Sequence, residues 1–160
     1  MAELPPLGET LLPPDAADPA ATALEMDELW SFVLKKTGKR WIWIALCRRT
    51  RQVVAYAIGD RSQQTCQRLW EAIPEVYRSA HCDSDFWKAY AAVIPEEQHT
   101  AVSLRSGQTA RVERFNNTLR QRLGRLVRQT LSFSKSLVMH DSCLRLFLHR
   151  YNCNRAAILT

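Results

Sequence analysis

The sequence predicts an α/β domain built on a mixed sheet with helices over it. Two observations predict it. Three strand-like segments follow one another through short polar turns between residues 24 and 58, and the pattern then alternates between helix and strand. Leu24–Val33 reads as the first strand, and Lys35-Lys36-Thr37-Gly38-Lys39 as a turn. Arg40–Cys47 (RWIWIALC) is nearly continuously apolar, as a strand covered on both faces should be. Arg48–Arg51 is a second polar turn, and Gln52–Ile58 a third strand. Two short turns in succession imply an antiparallel meander.

The period then changes. Cys66, Leu69, Trp70 and Ile73 stand at i, i+3, i+4 and i+7, one face of a helix that Pro74 closes. Ser79–Asp83 reads as a short strand, Phe86–Val93 as a short helix before Pro95, and Gln98–Leu104 as a strand. Helices are expected over 108–128 and 139–153. Three antiparallel strands, then two further strands alternating with helices, then C-terminal helices, is the order of the ribonuclease H-like (RNase H-like) fold.

The length of 160 residues suits one such domain. Five of the seven prolines lie within residues 1–23, which contain no aromatic side chain. The expected division is therefore a Pro-rich disordered tail, 1–23, and an RNase H-like domain with a C-terminal helical segment, 24–160. No apolar run approaches a membrane span, and the first Lys or Arg is Lys35, so a secretory leader with a positive start is not expected. Five cysteines, without a C-x-x-C pair, fit reduced thiols in a bacterial cytoplasm. His140, Cys143, His149 and Cys153 would face opposite sides of one helix, which excludes a shared zinc.

The net charge of +6 is unevenly placed. Residues 1–100 carry 11 basic and 14 acidic side chains; residues 101–160 carry 11 basic and only two acidic, Glu113 and Asp141. A basic half of this kind points to a polyanionic partner, of which nucleic acid is the commonest.

Three acids stand out against it. Asp27 lies inside an apolar strand, where a carboxylate needs a partner; a strand edge or an arginine would serve as well as a ligand. Asp83 and Asp85 follow the fourth strand, where α/β folds place their sites, and either could instead cap the next helix. Glu113 sits on the 108–128 helix. Val112, Phe115, Leu119, Leu123 and Leu126 form its apolar stripe, Arg111, Arg114, Arg122 and Arg125 its basic face, and Asn116, Asn117 and Arg120 flank Glu113. Its bland reading is a surface ion pair. Three such carboxylates converging on one point would suit hard divalent cations acting on phosphodiesters.

The blocks Met26-Asp27-Glu28-Leu29-Trp30, Ser84-Asp85-Phe86-Trp87-Lys88-Ala89-Tyr90, Val112–Arg120 (VERFNNTLR) and Leu131-Ser132-Phe133-Ser134-Lys135 resemble, in order and spacing, the InsB-type insertion-sequence transposases. The resemblance covers about residues 24–153. It implies a DDE transposase with an RNase H-like core, with Asp27, Asp85 and Glu113 as catalytic and metal-binding acids, and so Asp85 over Asp83. It implies Mg²⁺ or Mn²⁺, cleavage at the element's ends and joining of the freed 3′-hydroxyl to target DNA. Arg111, Arg114, Arg120, Arg122, Arg125 and Lys135 are expected to contact duplex DNA, with Asn116 and Asn117 supporting the site. A homo-oligomer on nucleoid DNA is expected. The family's DNA-binding region comes from an upstream reading frame, and neither its zinc-finger nor its helix-turn-helix pattern is read before Leu24. The chain is therefore expected to be a second-frame product, or an element remnant, needing that region as partner. Two other readings stay open: a structure-selective nuclease on the same fold, and a non-catalytic DNA-binding fragment that regulates a transposase.

Overall fold

The computed structural model describes residues 3–127, 129 and 131–160. The meander forms as β1 (Leu24–Phe32), β2 (Lys39–Cys47) and β3 (Val53–Gly59). β1 pairs antiparallel with β2, and β2 with β3. Gly38 is required in the first turn, because a Cβ there would stand 2.5 Å from the Val33 carbonyl oxygen. After α1 (Gln63–Ala72) comes β4 (Cys82–Ser84), and after α2 (Lys88–Val93) comes β5 (His99–Ala101). β4 lies parallel to β1 and β5 parallel to β4, so the strand order is β3-β2-β1-β4-β5. α3 (Ala110–Arg122) and α4 (Leu137–Leu159) complete the chain. This is the expected mixed sheet with C-terminal helices, in ribonuclease H-like order.

Both faces of the sheet are covered, which explains the unbroken apolarity of β2. Its odd residues Trp43, Ala45 and Cys47 face α1 and α2, among Cys66, Leu69, Ile73 and Tyr90. Its even residues Ile42, Ile44 and Leu46 face α3 and α4, among Val112, Phe115, Leu119, Leu144 and Leu148. α4 also closes the edge of β3. The side chain of Asn152 accepts from the Val53 N–H and donates to the Val53 carbonyl, both at 2.8 Å, as a neighbouring strand would. At the other end of α4, His140 bridges Ser31 and Ser134 at 3.0 and 2.7 Å. That contact fastens the 131–135 block beside β1, where the Leu34 N–H donates to the Ser134 carbonyl at 2.8 Å.

The structure departs from expectation in three places. β4 and β5 have only three residues each, and α3 ends at Arg122 instead of running to 128. Leu123 is extended (φ −106°, ψ 100°), and one 3₁₀ turn, Gly124–Leu126, follows. Gly124 removes helical propensity where the run would have to continue. Leu126 still reaches the core, but Arg125 leaves the helical face on which the sequence put it. Third, residues 3–23, which composition predicts as a mobile tail, lie against the domain. Leu7 and Leu11 pack on the two cores, the Leu12 carbonyl accepts from the Tyr77 hydroxyl at 2.6 Å, and the Thr10 hydroxyl accepts from Asn152 at 2.9 Å. Those anchors come from distant segments, so local composition does not register them.

α3 is docked by a carboxylate. Glu25 of β1 is 0% exposed. It accepts from the backbone N–H groups of Arg111 and Val112 at 2.9 and 3.1 Å, and from the Arg111 and Arg48 guanidinium groups at 3.0 and 3.1 Å. Two of the helix's otherwise unsatisfied N-terminal donors are thus filled by an acid on the sheet. Glu25→Ala should cost about 3 kcal/mol of stability, since buried donors and guanidinium groups lose their acceptor together. Urea unfolding followed by circular dichroism checks this; a loss under about 1 kcal/mol would mean that apolar packing alone docks α3.

Candidate metal centre

β4 ends at Ser84, and its pairing with β1 extends only from Leu24↔Cys82 to Glu25↔Asp83. Past that point no strand among the described residues pairs with β1 on this side. Asp27 and Glu28 therefore flank a notch, which Asp85 enters from the end of β4. Carboxylate oxygens of Asp27, Glu28 and Asp85 lie within 4.8 Å of one another, the one such group of potential metal ligands among the described residues. Neighbouring residues on a strand point to opposite faces, and here a carboxylate oxygen from each approaches the other beside the unpaired stretch of β1.

Each acid is held separately. The Asp27 Oδ2 accepts from the Asn116 Nδ2 of α3 at 2.8 Å. Asp85 Oδ1 accepts from the Trp87 N–H at 2.9 Å. Glu28 accepts from the Tyr90 hydroxyl at 2.7 Å and from the Arg61 Nε at 2.7 Å. Burial pushes the Asp27 carboxyl up to about 7, helped by the charges of Glu28 and Asp85 and opposed by the Asn116 bond. The same desolvation raises Glu28, with Tyr90 and Arg61 opposing it. Asn116 is 5% exposed, and its Oδ1 has no hydrogen-bond partner among the described residues. Clustered carboxylates beside an orphaned amide oxygen form an all-oxygen donor set, which fits a hydrated Mg²⁺ or Mn²⁺.

Glu113 stands apart from this group. It lies in the first turn of α3 and its Oε1 accepts from the Thr109 hydroxyl at 2.8 Å. Asn116 is three residues further on, so the two share the side of α3 that meets Asp27. Asp83 is used otherwise: it is 4% exposed and salt-bridged at 2.5 Å to Arg48, the same arginine that binds Glu25. The sequence left Asp83 and Asp85 equivalent; their opposite employment follows from Arg48, which comes from the β2–β3 turn.

The basic residues divide into several groups. Arg111 is committed to Glu25. The half-buried Arg120 donates to the Leu126 carbonyl at 3.4 Å. Arg125 and Lys135 line a shallow cavity with Leu131, Phe133 and Met139. Arg114 and Arg122 are exposed on α3, as is Asn117. Arg122 lines a groove of about 570 Å³ between α3 and α4 with Arg150, Arg155, Tyr151 and Phe147, and none of its described lining residues is an acid. Arg51 adds to this positive band, its guanidinium lowered by burial and by Arg111, Arg155 and Arg114 nearby. Arg51, Arg150 and Arg155 escaped the sequence reading because they lie on a turn and on a helix with no basic stripe.

Comparison with known proteins decides the family. The family model described as IS1 transposase matches residues 20–153. The chain belongs to the IS1 transposase family. It is 35% identical over 131 residues to the insertion element iso-IS1n protein InsB of Shigella dysenteriae, covering 82% of this chain and 97% of that one. It is 38% identical to the insertion element IS1 protein InsB of Shigella flexneri, over 78% of this chain and 92% of the relative. With the InsB protein of insertion element IS1 4 from Escherichia coli K12 the identity is 37%, over 78% and 72%. Membership of this transposase family makes DNA transposition the setting in which the notch must be read.

The raised Asp27 carboxyl yields a test without catalysis. Folding favours the protonated form, so this group's contribution is fully present below its ordinary value of 3.8 and is lost as the pH rises to about 7. At pH 8 in chelator, Asp27→Asn should melt at a higher temperature than the native protein. Millimolar Mg²⁺ should raise the melting temperature of the native protein alone. Equal melting temperatures for both proteins in chelator would show that Asp27 carries no such penalty.

Proposed function

We propose that this IS1-family transposase is a DDE enzyme, in which Asp27, Asp85 and Glu113 carry metal-dependent cleavage and joining of DNA by in-line phosphoryl transfer. The observation that supports it is the convergence of Asp27 and Asp85 in the β1–β4 notch, with Asn116 of α3 on Asp27 and Glu113 one turn away on the same side. Mg²⁺ or Mn²⁺ bound there would supply the Lewis acidity that activates the entering oxygen and stabilises the leaving one. Asp27 and Asp85 supply fixed oxygens, each oriented by its own hydrogen bond. Asn116 keeps Asp27 aimed into the notch and offers its free Oδ1 to a water or a phosphate-bound group. Glu113, whose Oε1 accepts from the Thr109 hydroxyl, would add a carboxylate to the metal's donors from the same side of α3. Water cleaves at the element's end, and the freed 3′-hydroxyl then attacks target DNA at the same residues, so no covalent protein intermediate is needed.

DNA reaches the notch along the positive band of Arg51, Arg114, Arg122, Arg150 and Arg155. Such contacts orient a backbone and carry no base information. Recognition of element ends belongs to the upstream-frame DNA-binding region, and the working species is a homo-oligomer on bacterial nucleoid DNA. No helix among the described residues is long and apolar enough to cross a membrane.

Asp27→Asn, Asp85→Asn and Glu113→Gln should each abolish strand cleavage and joining of 3′-hydroxyl ends to plasmid, with unchanged circular dichroism. Asp83→Asn should lower stability and leave cleavage measurable. If Asp85→Asn cleaved normally and Asp83→Asn did not, the site would lie on the Arg48 side of β4. Cleavage without joining would indicate a nuclease.

Duplex binding should be nearly indifferent to sequence and steeply dependent on salt. Four of these five arginines, each neutralising one phosphate, give a log–log slope of about −3.6. Replacing Arg122 and Arg150 by Ala should bring the slope to roughly −1.8 and weaken all duplexes alike. A preference for element-end duplex that survives high salt would show that this chain reads bases itself.

A further inference from the structure

Glu28 is the third acid of the notch and a fourth beside the proposed Asp27, Asp85 and Glu113 set, and its surroundings are unusually complete. Its side chain is nearly wholly buried, and one of its oxygens lies within 4.8 Å of oxygens of both Asp27 and Asp85. Arg61, in the turn after β3, grips Glu28 Oε1 through both Nε and a terminal nitrogen. The Tyr90 hydroxyl holds Oε2. Arg61 is itself clamped: its guanidinium carbon lies 4.7 Å from the Trp41 ring centroid and 4.1 Å from that of Trp87. Trp87 also donates its backbone N–H to Asp85. One residue thus orients Asp85 through its backbone and the guanidinium of Arg61 through its ring.

A carboxylate so close to two others would ordinarily be drawn into the coordination of any cation bound there. Here both its oxygens are already engaged, and its charge is opposed by a guanidinium that two aromatic faces hold in place. We infer that Arg61 is a positioning residue of the metal centre: by pinning Glu28 beside the Asp27–Asp85 pair and neutralising it, Arg61 keeps Glu28 out of the coordination shell and leaves positions open for DNA phosphate and the attacking oxygen. This rests on the proposed role of Asp27 and Asp85. It assigns Glu28, Arg61, Trp41 and Trp87 a part that the DDE acids do not describe.

The consequence has an unusual sign. Removing a cation near the site and releasing a fourth acid should tighten metal binding while slowing DNA cleavage. A salt bridge that serves only the fold would weaken both when broken.

Mn²⁺ alone is the probe, titrated into the full chain at pH 8 and followed by electron paramagnetic resonance of the free ion. Arg61→Met should bind Mn²⁺ on the order of tenfold more tightly than the native protein and cleave DNA more slowly. Arg61→Lys, which keeps the charge, should stay near the native affinity. In the double variant Glu28→Gln with Arg61→Met, the gain should disappear, because no fourth acid is released. Trp87→Leu, which loosens the clamp without touching either charge, should shift affinity in the same direction by a smaller factor; it serves as the deciding variant if Arg61→Met does not fold. Unchanged or weaker Mn²⁺ binding in folded Arg61→Met, or in folded Trp87→Leu in its place, would overturn the inference. Asp27→Asn separates the two readings. If it abolishes Mn²⁺ binding and Arg61→Met has no effect, only the role of Arg61 fails. If Asp27→Asn leaves Mn²⁺ binding intact, the metal centre itself fails, and this inference with it.

Discussion

The carboxylate of Glu25 is the contact on which the site's geometry depends. A helix that crosses a sheet through apolar side chains alone can slide and rotate by small amounts at little cost. Two backbone N–H groups aimed at one buried carboxylate do not permit that. Because Glu25 and Asp27 lie two residues apart on the same face of β1, fixing the start of α3 on Glu25 also fixes where Asn116 and Glu113 stand relative to Asp27. Arg48 extends the same constraint across the sheet, joining Glu25 to Asp83 and thereby locking the register of β1 against β4. Acids that take no part in the notch determine its dimensions.

The shortness of β4 is the complementary requirement. A longer strand would pair with β1 beyond Glu25 and close the gap in which Asp27, Glu28 and Asp85 meet. Ending the strand at Ser84 exposes β1 on that side over the residues that bear the acids. Burying these carboxylates, with like charges beside them, costs the folded state, and burial is the larger cause of the raised Asp27 and Glu28 carboxyls. Stability is given up at the site and recovered from Glu25, from the two cores and from the Asn152 contact on β3.

The two flanks of α3 have different employment. One meets Asp27 through Asn116 and bears Glu113; the other, with Arg122, forms a wall of the arginine groove shared with α4. A single amphipathic helix thus separates acids from bases by its own diameter while its third face is buried against the sheet. That separation lets a polyanion be held close to a cluster of carboxylates without the arginines neutralising them.

The sequence by itself determined the element order, the antiparallel meander, the coverage of both sheet faces and the basic C-terminal half. These follow from hydrophobic period and charge, which are local properties. Asp27, Asp85 and Glu113 were singled out by an acid in an apolar strand, acids at a strand end and an acid on a basic helix, and their assignment over Asp83 came from the resemblance of whole blocks. Only the tertiary structure decided that Glu25 docks a helix, that Asp83 belongs to Arg48, that Glu28 and Arg61 stand at the notch and that residues 3–23 lie along the domain. Each of these depends on a partner between about 20 and 140 positions away. A side chain's role in such a contact is set by what the fold brings to it, and the residue's neighbours in sequence carry no trace of that.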